Sequence, residues 1–403
     1  MESLMTIPAI QVDEALQTAK APAEKEQLLP LTGLRLFLAL WVIVYHQTSP
    51  DGTLGAYMPL LNPAFFSLVE TGYAAVGVFF LLSGFILTYN YDFSGGWNKR
   101  AAIRFAIARF SRIYPVYLLG LVLVLPFFVK PLIRHPGTEG PIGALQFALL
   151  QSWVPAATGT WNSPGWSLSD EAFFYALFPV VGMCLSRVTR LPGLVVAGLF
   201  LWAAALLVPL GSVLGNVDGL NISAIRSNHH SFAVDFVRYF PIFRLPEFLL
   251  GIVTARIYLR IQHGFRGRGY YLYLPALAAA AIILTHANRV AYPLMHNGIL
   301  APLSACVVLG LALGGGALAR ILSIPLVVFL GGASFSMYIL HLPHWSWMAW
   351  TLDHLHASWH RGWLGMVVYL VIVVVLSGLV FKHLEQPASF FLKRKLSREP
   401  SRA

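Results

Sequence analysis

Long apolar runs alternate with short polar segments along almost the whole chain, from about residue 30 to residue 381. A run of about 20 predominantly apolar residues is long enough to cross the hydrocarbon core of a membrane as an α-helix. The pattern therefore predicts about ten transmembrane helices. The sixth is the weakest, because Arg244 and Glu247 interrupt it. The expected positions are about 30–48, Thr71–Tyr91, Ile113–Val129, Glu171–Ser186, Leu191–Gly215, 238–259, Tyr270–Thr285, Gly298–Ala319, Ile321 to about His341, and Trp363–Phe381.

The composition agrees with an all-α integral membrane protein. The chain has 403 residues, of which 57% are hydrophobic and only 11% charged, whereas a soluble domain carries about 25% charged residues. Most of the 28 Lys and Arg residues fall on one set of alternating loops. This bias places both termini in the cytoplasm. It also explains the net charge of +11 without nucleic-acid binding.

The same pattern divides the chain into three parts. Residues 1–27 are expected to form a flexible cytoplasmic tail, residues 28–390 the membrane domain, and residues 391–403 a basic cytoplasmic tail. The long external segment Lys130–Asp170 contains the apolar run Ala144–Val154, which is too short to cross the membrane. We expect that run to be an interfacial or re-entrant helix.

The first predicted helix has one basic residue near its start and one histidine at its end, Arg35 and His46. Eleven residues of α-helix give three turns and a rise of about 16 Å, so both side chains lie on one face. Ionisable residues at membrane depth usually face the protein interior or a wet cavity. The spacing favours a site reached from both sides of the membrane. A snorkelling Arg35 and a core His46 are the alternative.

A basic stretch between the second and third predicted helices contains Arg109 and Arg112, which share a helix face because they are three residues apart. Arginine binds phosphate through its planar fork. Basic residues at a membrane surface also contact anionic lipid head groups. The stretch alone favours a lipid contact somewhat over a phosphate ligand, and both stay open.

Several acidic and basic residues are expected toward the external side. Glu171 begins the fourth predicted helix, so we expect it at the depth of His46, where the two would form a general-base pair. A helix start with acidic residues in its first turn is the alternative. Arg244 and Glu247 are three residues apart and could neutralise each other. His341 and the histidines after it are irregularly spaced, so no metal site is predicted.

Taken together, these segments resemble membrane acyltransferase family 3, the bacterial multi-pass O-acyltransferases. One departure is Asp170, where many members carry valine. The segments that carry the resemblance are Arg35 to His46, Gly77 to Phe85, Arg109 to Tyr117, Trp166 to Tyr175, Arg244 to Gly251, Ser334 to His341, and Glu385 to Pro387.

The resemblance implies an acyl-CoA-dependent O-acyltransferase of the bacterial cytoplasmic (inner) membrane. The co-substrate would be acyl-CoA, usually acetyl-CoA, with no permanently bound cofactor and no metal. The acceptor would be a hydroxyl outside the cytoplasm, on a sugar of a surface or secreted glycan or glycolipid. The implied site residues are His46 and Glu171 for catalysis; Arg35, Arg109, Arg112, Tyr117 and Ser83 for the donor; and Trp166, Tyr175, Arg244, Glu247 and His341 for the acceptor or for support.

Three alternatives stay open at this stage. His46 would act either as a general base or as a nucleophile that carries the acyl group. The oxyanion would be stabilised by Ser83, Tyr175 or Arg244. The alternative functions are a transporter or flippase of the same topology, and an acyltransferase that transfers succinyl or longer acyl groups to a lipid or secondary metabolite. Membrane lipids are expected partners, nucleic acid is not, and the oligomeric state is open.

Overall fold

A computed structural model describes residues 26–49, 52–91, 97–217 and 231–396. These ranges contain helices and connecting turns but no β-strand, so the predicted all-α class is confirmed for them. The α-helices in chain order are α1 Leu29–His46, α2 Pro63–Glu70, α3 Ala75–Asn90, α4 Lys99–Arg134, α5 Pro136–Phe147, α6 Trp166–Ser186, α7 Leu191–Leu214, α8 Phe232–Tyr239, α9 Pro241–Phe265, α10 Tyr270–Thr285, α11 Tyr292–His296, α12 Ala301–Leu313, α13 Gly316–Leu322, α14 Pro325–Gly332, α15 Ser334–His354, α16 Trp363–Val380 and α17 Gln386–Leu396.

Seven helical segments among the described residues are long and apolar enough to cross a membrane, and α14 with α15 makes an eighth if that bent pair is one span. The chain is therefore a multi-pass membrane protein. The predicted sixth and seventh spans correspond to the helices α9 and α10, but neither is both long and apolar enough to be counted as a membrane span. Helix α10 has only 16 residues, and α9 carries Arg244, Glu247, Arg256 and Arg260. Ten spans and cytoplasmic termini stay predictions.

Two of the predicted boundaries differ from the structure. The basic stretch with Arg109 and Arg112 does not join two helices, because it forms the first turns of the 36-residue helix α4. The predicted ninth span does not end near His341. Instead the helix breaks and bends by 60° at Ala333, after two glycines, and α15 continues through Pro343 to His354. Proline is tolerated inside such a helix when its neighbours satisfy the freed backbone groups.

Helices α3 and α9 cross in backbone contact. A Cβ atom on Gly84 would lie 2.1 Å from the carbonyl oxygen of Phe248, and one on Gly251 would lie 2.0 Å from that of Leu81. Small residues allow this close approach between membrane helices. Glycine at these two positions therefore fixes the position of α3, which lines the cavity described below.

The segment between α4 and α6, which the sequence predicted to be external, is folded into the protein. Helix α5 ends at Phe147, and the connection 148–165 continues through three short 3₁₀-helices; we call it the buried loop. The amide groups of buried polar side chains hold it. Gln151 donates to the carbonyl oxygen of Gly165 at 2.7 Å, and Asn162 donates to that of Ile339 in α15 at 3.0 Å. The apolar run 144–154 is therefore not one interfacial helix, because its backbone turns at Leu149, where φ is +57°.

The predicted tails lie mostly outside the described residues. Residues 1–25 of the N-terminal tail and 397–403 of the C-terminal tail belong to the part that the structure does not describe. Helix α17 continues past residue 390 to Leu396 and packs against α4. The helical structure thus extends beyond the predicted end of the membrane domain.

Candidate active site

A cavity of about 270 Å³ lies between helices α1, α3, α4, α6 and α15. One part of its wall carries three arginines, Arg35 from α1 and Arg109 and Arg112 from α4. Another part is apolar and aromatic and includes Phe79 and Tyr338. The structure thus brings together the three arginines that the sequence placed in separate segments.

The three arginines contact other described residues without forming hydrogen bonds or ion pairs, as where Arg109 lies over the Tyr91 and Phe105 rings. No hydrogen bond or ion pair joins Arg35, Arg109 or Arg112 to another residue in the described part of the chain. The Nε atom of Arg109 is buried and makes no hydrogen bond. Two carboxylates, Glu171 and Glu385, lie close enough to act electrostatically on Arg35. A buried guanidinium without a hydrogen-bond partner is unfavourable, so this part of the cavity is suited to an anion.

Glu171 faces the cavity and is held by two hydroxyl groups. The Ser83 hydroxyl donates to its Oε1 atom at 2.7 Å, and the Tyr175 hydroxyl donates to the same atom. These are the hydrogen-bond donors to Glu171 among the described residues. The expected pair of Glu171 with His46 is therefore wrong as a direct contact.

The reason is the depth at which α6 begins. The buried loop brings the chain inside the protein before the helix starts, so the ring of Trp166 already packs against Phe80 of α3, with the ring centres 6.0 Å apart. Glu171 lies more than one turn further along α6 and faces Ser83. No sequence signal indicates that the preceding loop is buried, because its composition is that of an exposed, proline-rich connection.

His46 is paired with His341 instead. The Nδ1 atom of His46 lies 2.9 Å from the carbonyl oxygen of Val42, and that of His341 lies 2.7 Å from the carbonyl oxygen of Tyr338. A carbonyl oxygen only accepts, so both Nδ1 atoms carry hydrogen. The Nε2 atom of His341 then accepts from His46 Nδ1 at 3.2 Å. In neutral His46 the lone pair is left on Nε2, as a general base requires.

The histidine pair lies just beyond the cavity wall. Tyr338 connects the two, since its ring lines the cavity and its carbonyl oxygen accepts from His341. The Tyr338 ring lies 6.0 Å from the Phe79 ring, and its hydroxyl lies 2.9 Å from the Ser167 hydroxyl. The histidine pair thus lies next to the part of the cavity wall that Tyr338 forms. The sequence predicted His341 near the site but not its contact with His46.

Arg244 and Glu247 form a buried ion pair, with 2.9 Å between Nη2 and Oε2. Arg244 also donates to the carbonyl oxygen of His296 and to the side-chain oxygen of Asn297. Its guanidinium carbon lies 5.9 Å from the centre of the Trp166 ring. Because these contacts occupy Arg244, the pair holds α6, α9 and α11 together and does not present a free cation to a ligand.

The remaining predicted residues are also accounted for. Tyr117 does not line the cavity; its hydroxyl donates to the carbonyl oxygen of Gln146 at 2.7 Å and accepts from Gln151 at 3.1 Å. Tyr117 therefore supports the buried loop and does not face the donor cavity. Of the three oxyanion candidates, Ser83 and Tyr175 line the cavity, but both hydroxyl hydrogens are directed to Glu171.

Glu385 is a residue that sequence reasoning left out of the site. It is 4% exposed, accepts from the Ser336 hydroxyl at 2.7 Å, and acts electrostatically on Arg35. The available signal was a single acidic residue shortly after nineteen uncharged ones. No group of three His, Cys, Asp or Glu residues in the described ranges is arranged to hold a metal ion.

A bundle of apolar helices, a cationic cavity and a histidine pair next to its wall define a multi-pass membrane protein with an enzyme-like site. Residues 30–382 match the family described as acyltransferase domain, and the chain belongs to acyltransferase family 3. The resemblance seen in the sequence motifs is confirmed.

The chain is similar to two relatives over two thirds or more of its length. It is 30% identical over 342 residues to acyltransferase MdmB of Streptomyces mycarofaciens, and the aligned region covers 79% of each chain. It is 28% identical over 286 residues to exopolysaccharide production protein ExoZ of Rhizobium meliloti (strain 1021), which covers 67% of this chain and 75% of that protein. No solved structure gives a significant match.

Proposed function

We propose that this acyltransferase takes an acyl group, most simply acetyl, from cytosolic acyl-CoA and transfers it to a hydroxyl of an extracytoplasmic acceptor. The bacterial cytoplasmic (inner) membrane is the proposed location. The observation that carries the proposal is one cavity with three arginines, Arg35, Arg109 and Arg112, that make no hydrogen bond or ion pair with the described residues. CoA is a polyanionic donor, and guanidinium groups bind phosphate oxygens in pairs.

The chemistry assigned to His46 follows from its tautomer. The acceptor hydroxyl attacks the thioester carbonyl, His46 Nε2 takes the hydroxyl proton, the carbon–sulfur bond breaks, and the thiolate of CoA recovers a proton. His341 and the Val42 carbonyl orient the imidazole for this step. In the alternative, His46 Nε2 attacks first and an acyl-His46 intermediate passes the acyl group to the hydroxyl.

Glu171 has a different role from that of an orienting partner for His46. Its carboxylate receives the Ser83 and Tyr175 hydroxyls and balances part of the positive charge of Arg35. We propose that it shapes the donor cavity and limits how much anionic charge the arginines attract. Trp166 and the Arg244–Glu247 pair act as the rigid support behind the cavity wall.

The acceptor class rests on the relatives. ExoZ is named for exopolysaccharide production and MdmB as an acyltransferase, which supports a sugar hydroxyl on a surface or lipid-linked glycan as the proposed acceptor. A succinyl or longer-chain donor, or a lipid or secondary-metabolite acceptor, suits the same site. A transporter of similar topology is the competing class, but the family assignment favours acyl transfer.

The test is donor binding by the purified protein in detergent. Arg109→Gln and Arg112→Gln should each weaken acetyl-CoA binding by about 10- to 150-fold, because a hydrogen bond to a charged group contributes about 1.5–3 kcal/mol. Arg134→Gln is the matched control, since Arg134 is an exposed arginine at the other end of the same helix. Unchanged affinity in both variants would favour lipid contact. Uptake of a glycan into vesicles without acylation would favour the transporter.

A further inference from the structure

A group of aromatic rings lies beside Arg109 at the end of α3. Phe79 of α3 contacts Tyr338 next to the histidine pair, and Tyr91 comes twelve residues later, about 18 Å further along the helix axis. Tyr91 directly follows α3 and Trp97 comes shortly before α4, and their ring centres are 5.6 Å apart. Both rings pack edge-on or tilted against Phe105, at 5.1 and 5.3 Å. The guanidinium carbon of Arg109 lies 5.8 Å from the centre of the Tyr91 ring. We call Tyr91 and Trp97 the aromatic pair.

The exposure of these rings separates them from ordinary core residues. Phe105 is 3% exposed and Phe178, which also packs against the group, is fully buried. Tyr91 and Trp97 are only half-buried. Buried rings therefore support the aromatic pair from below, while the pair itself reaches the protein surface next to an arginine of the cavity.

The order of chemical groups in the donor determines which of its groups would lie beside the aromatic pair. In acyl-CoA the acyl group is at one end, the phosphates lie between, and a purine base is at the other end. With the acyl group directed past Tyr338 toward His46 and phosphates on the three arginines, the base continues outward from Arg109. Among the described residues, the aromatic pair lies on that side of Arg109.

We propose that Tyr91 and Trp97 bind the purine base of the nucleotide donor by stacking. This proposal rests on the proposed function, because it requires the phosphates to lie on the arginines. Stacking of a base on an aromatic side chain contributes about 1–3 kcal/mol per base, which corresponds to about 5- to 150-fold in affinity. Cation–π attraction holds the Arg109 guanidinium over the Tyr91 ring and keeps the phosphate next to the base.

The competing interpretation is that the two rings only seal the ends of α3 and α4. That interpretation predicts lower thermal stability on substitution and the same loss of affinity for every donor. A base site predicts a loss only for donors that contain the base. The two interpretations therefore separate when one donor is shortened.

The experiment compares acetyl-CoA with acetyl-4′-phosphopantetheine, which has the thioester and one phosphate but no nucleotide. Trp97→Leu and Tyr91→Leu should each weaken acetyl-CoA binding by about 5- to 150-fold and leave the binding of the short donor unchanged. Trp202→Leu is the control, since Trp202 is equally half-buried but lies on α7, where its indole donates to the carbonyl oxygen of Gly298, and it does not line the cavity. Melting temperatures are measured for all variants.

Each other outcome overturns a defined part of the reasoning. Equal losses for the two donors, or no loss for either, reject the base site and leave the arginine site standing. Equal binding of the two donors by the unchanged protein also rejects it. If the unchanged protein binds neither donor, the proposed function fails and the base site fails with it.

Discussion

The backbone contact between α3 and α9 predicts that Gly251→Ala will both destabilise the protein and weaken donor binding. The added Cβ would lie 2.0 Å from the carbonyl oxygen of Leu81, whereas ordinary contacts begin at 3.4 Å. The three atoms nearest to the added Cβ are all backbone atoms of α3, so no side chain can rotate away to make room. The helices must separate by about 1.4 Å at this point.

The expected free-energy change has two parts. Overpacking costs about 1–3 kcal/mol, and contact with rigid backbone places this site in the upper half of that range. Alanine recovers up to about 1 kcal/mol over glycine in a helix. The net loss in the free energy of unfolding should be about 1–2 kcal/mol. A shift of α3 by this distance would also break the 2.7 Å hydrogen bond from Ser83 to Glu171.

The measurement is thermal unfolding in detergent together with acetyl-CoA affinity. Gly264→Ala in the same helix is the control, because nothing lies within 4 Å of the added Cβ. It should be neutral or stabilise the protein by up to about 1 kcal/mol. The reasoning is refuted if Gly251→Ala is as stable as Gly264→Ala. Lower stability with unchanged donor affinity would keep the packing argument and reject the displacement of Ser83.

Three further predictions concern the chemistry, the orientation and the buried charges. His46→Ala should lower transfer by about 10²- to 10⁴-fold while acetyl-CoA still binds, and transfer above a few per cent would remove His46 from the chemistry. After both native cysteines are replaced, Thr138→Cys should react with a membrane-impermeant thiol reagent on intact spheroplasts, and Arg100→Cys only after lysis; both positions are exposed. The reverse pattern would invert the topology. Glu247→Gln should destabilise the protein by about 3–5 kcal/mol by leaving Arg244 without its charge partner, and a melting temperature equal to that of the unchanged protein would contradict this.

The helical class and the grouping of the arginines were predictable from local patterns. Hydrophobic length defines most of the helices, and Arg109 and Arg112 share a face because of helical periodicity alone. Arg35 joins them because α1 presents it on the side that faces the other helices. These features depend on one helix at a time, and a sequence carries that information directly.

The pairing of side chains across helices was not predictable in the same way. Glu171 and His46 were expected at one depth because α6 was assumed to begin at the membrane surface. Hydrogen bonds from buried amides, such as that of Asn162 to the Ile339 carbonyl oxygen, draw the preceding loop inward and move Glu171 toward Ser83. Such bonds connect residues far apart in sequence, and no local pattern records them.

The buried loop also has an electrical consequence. An enzyme of the proposed orientation lets a cytosolic donor meet an external acceptor, so it must pass an acyl group without passing protons or ions. A potential of about 100 mV drives each elementary charge with about 2.3 kcal/mol. With that orientation, Tyr338 and Asn162, which tie the loop to α15, would lie on the outward side of the cationic cavity. The loop would then keep the cavity closed to protons and ions. Loosening it would let them cross the membrane down the potential and would also disturb the geometry of the enzyme.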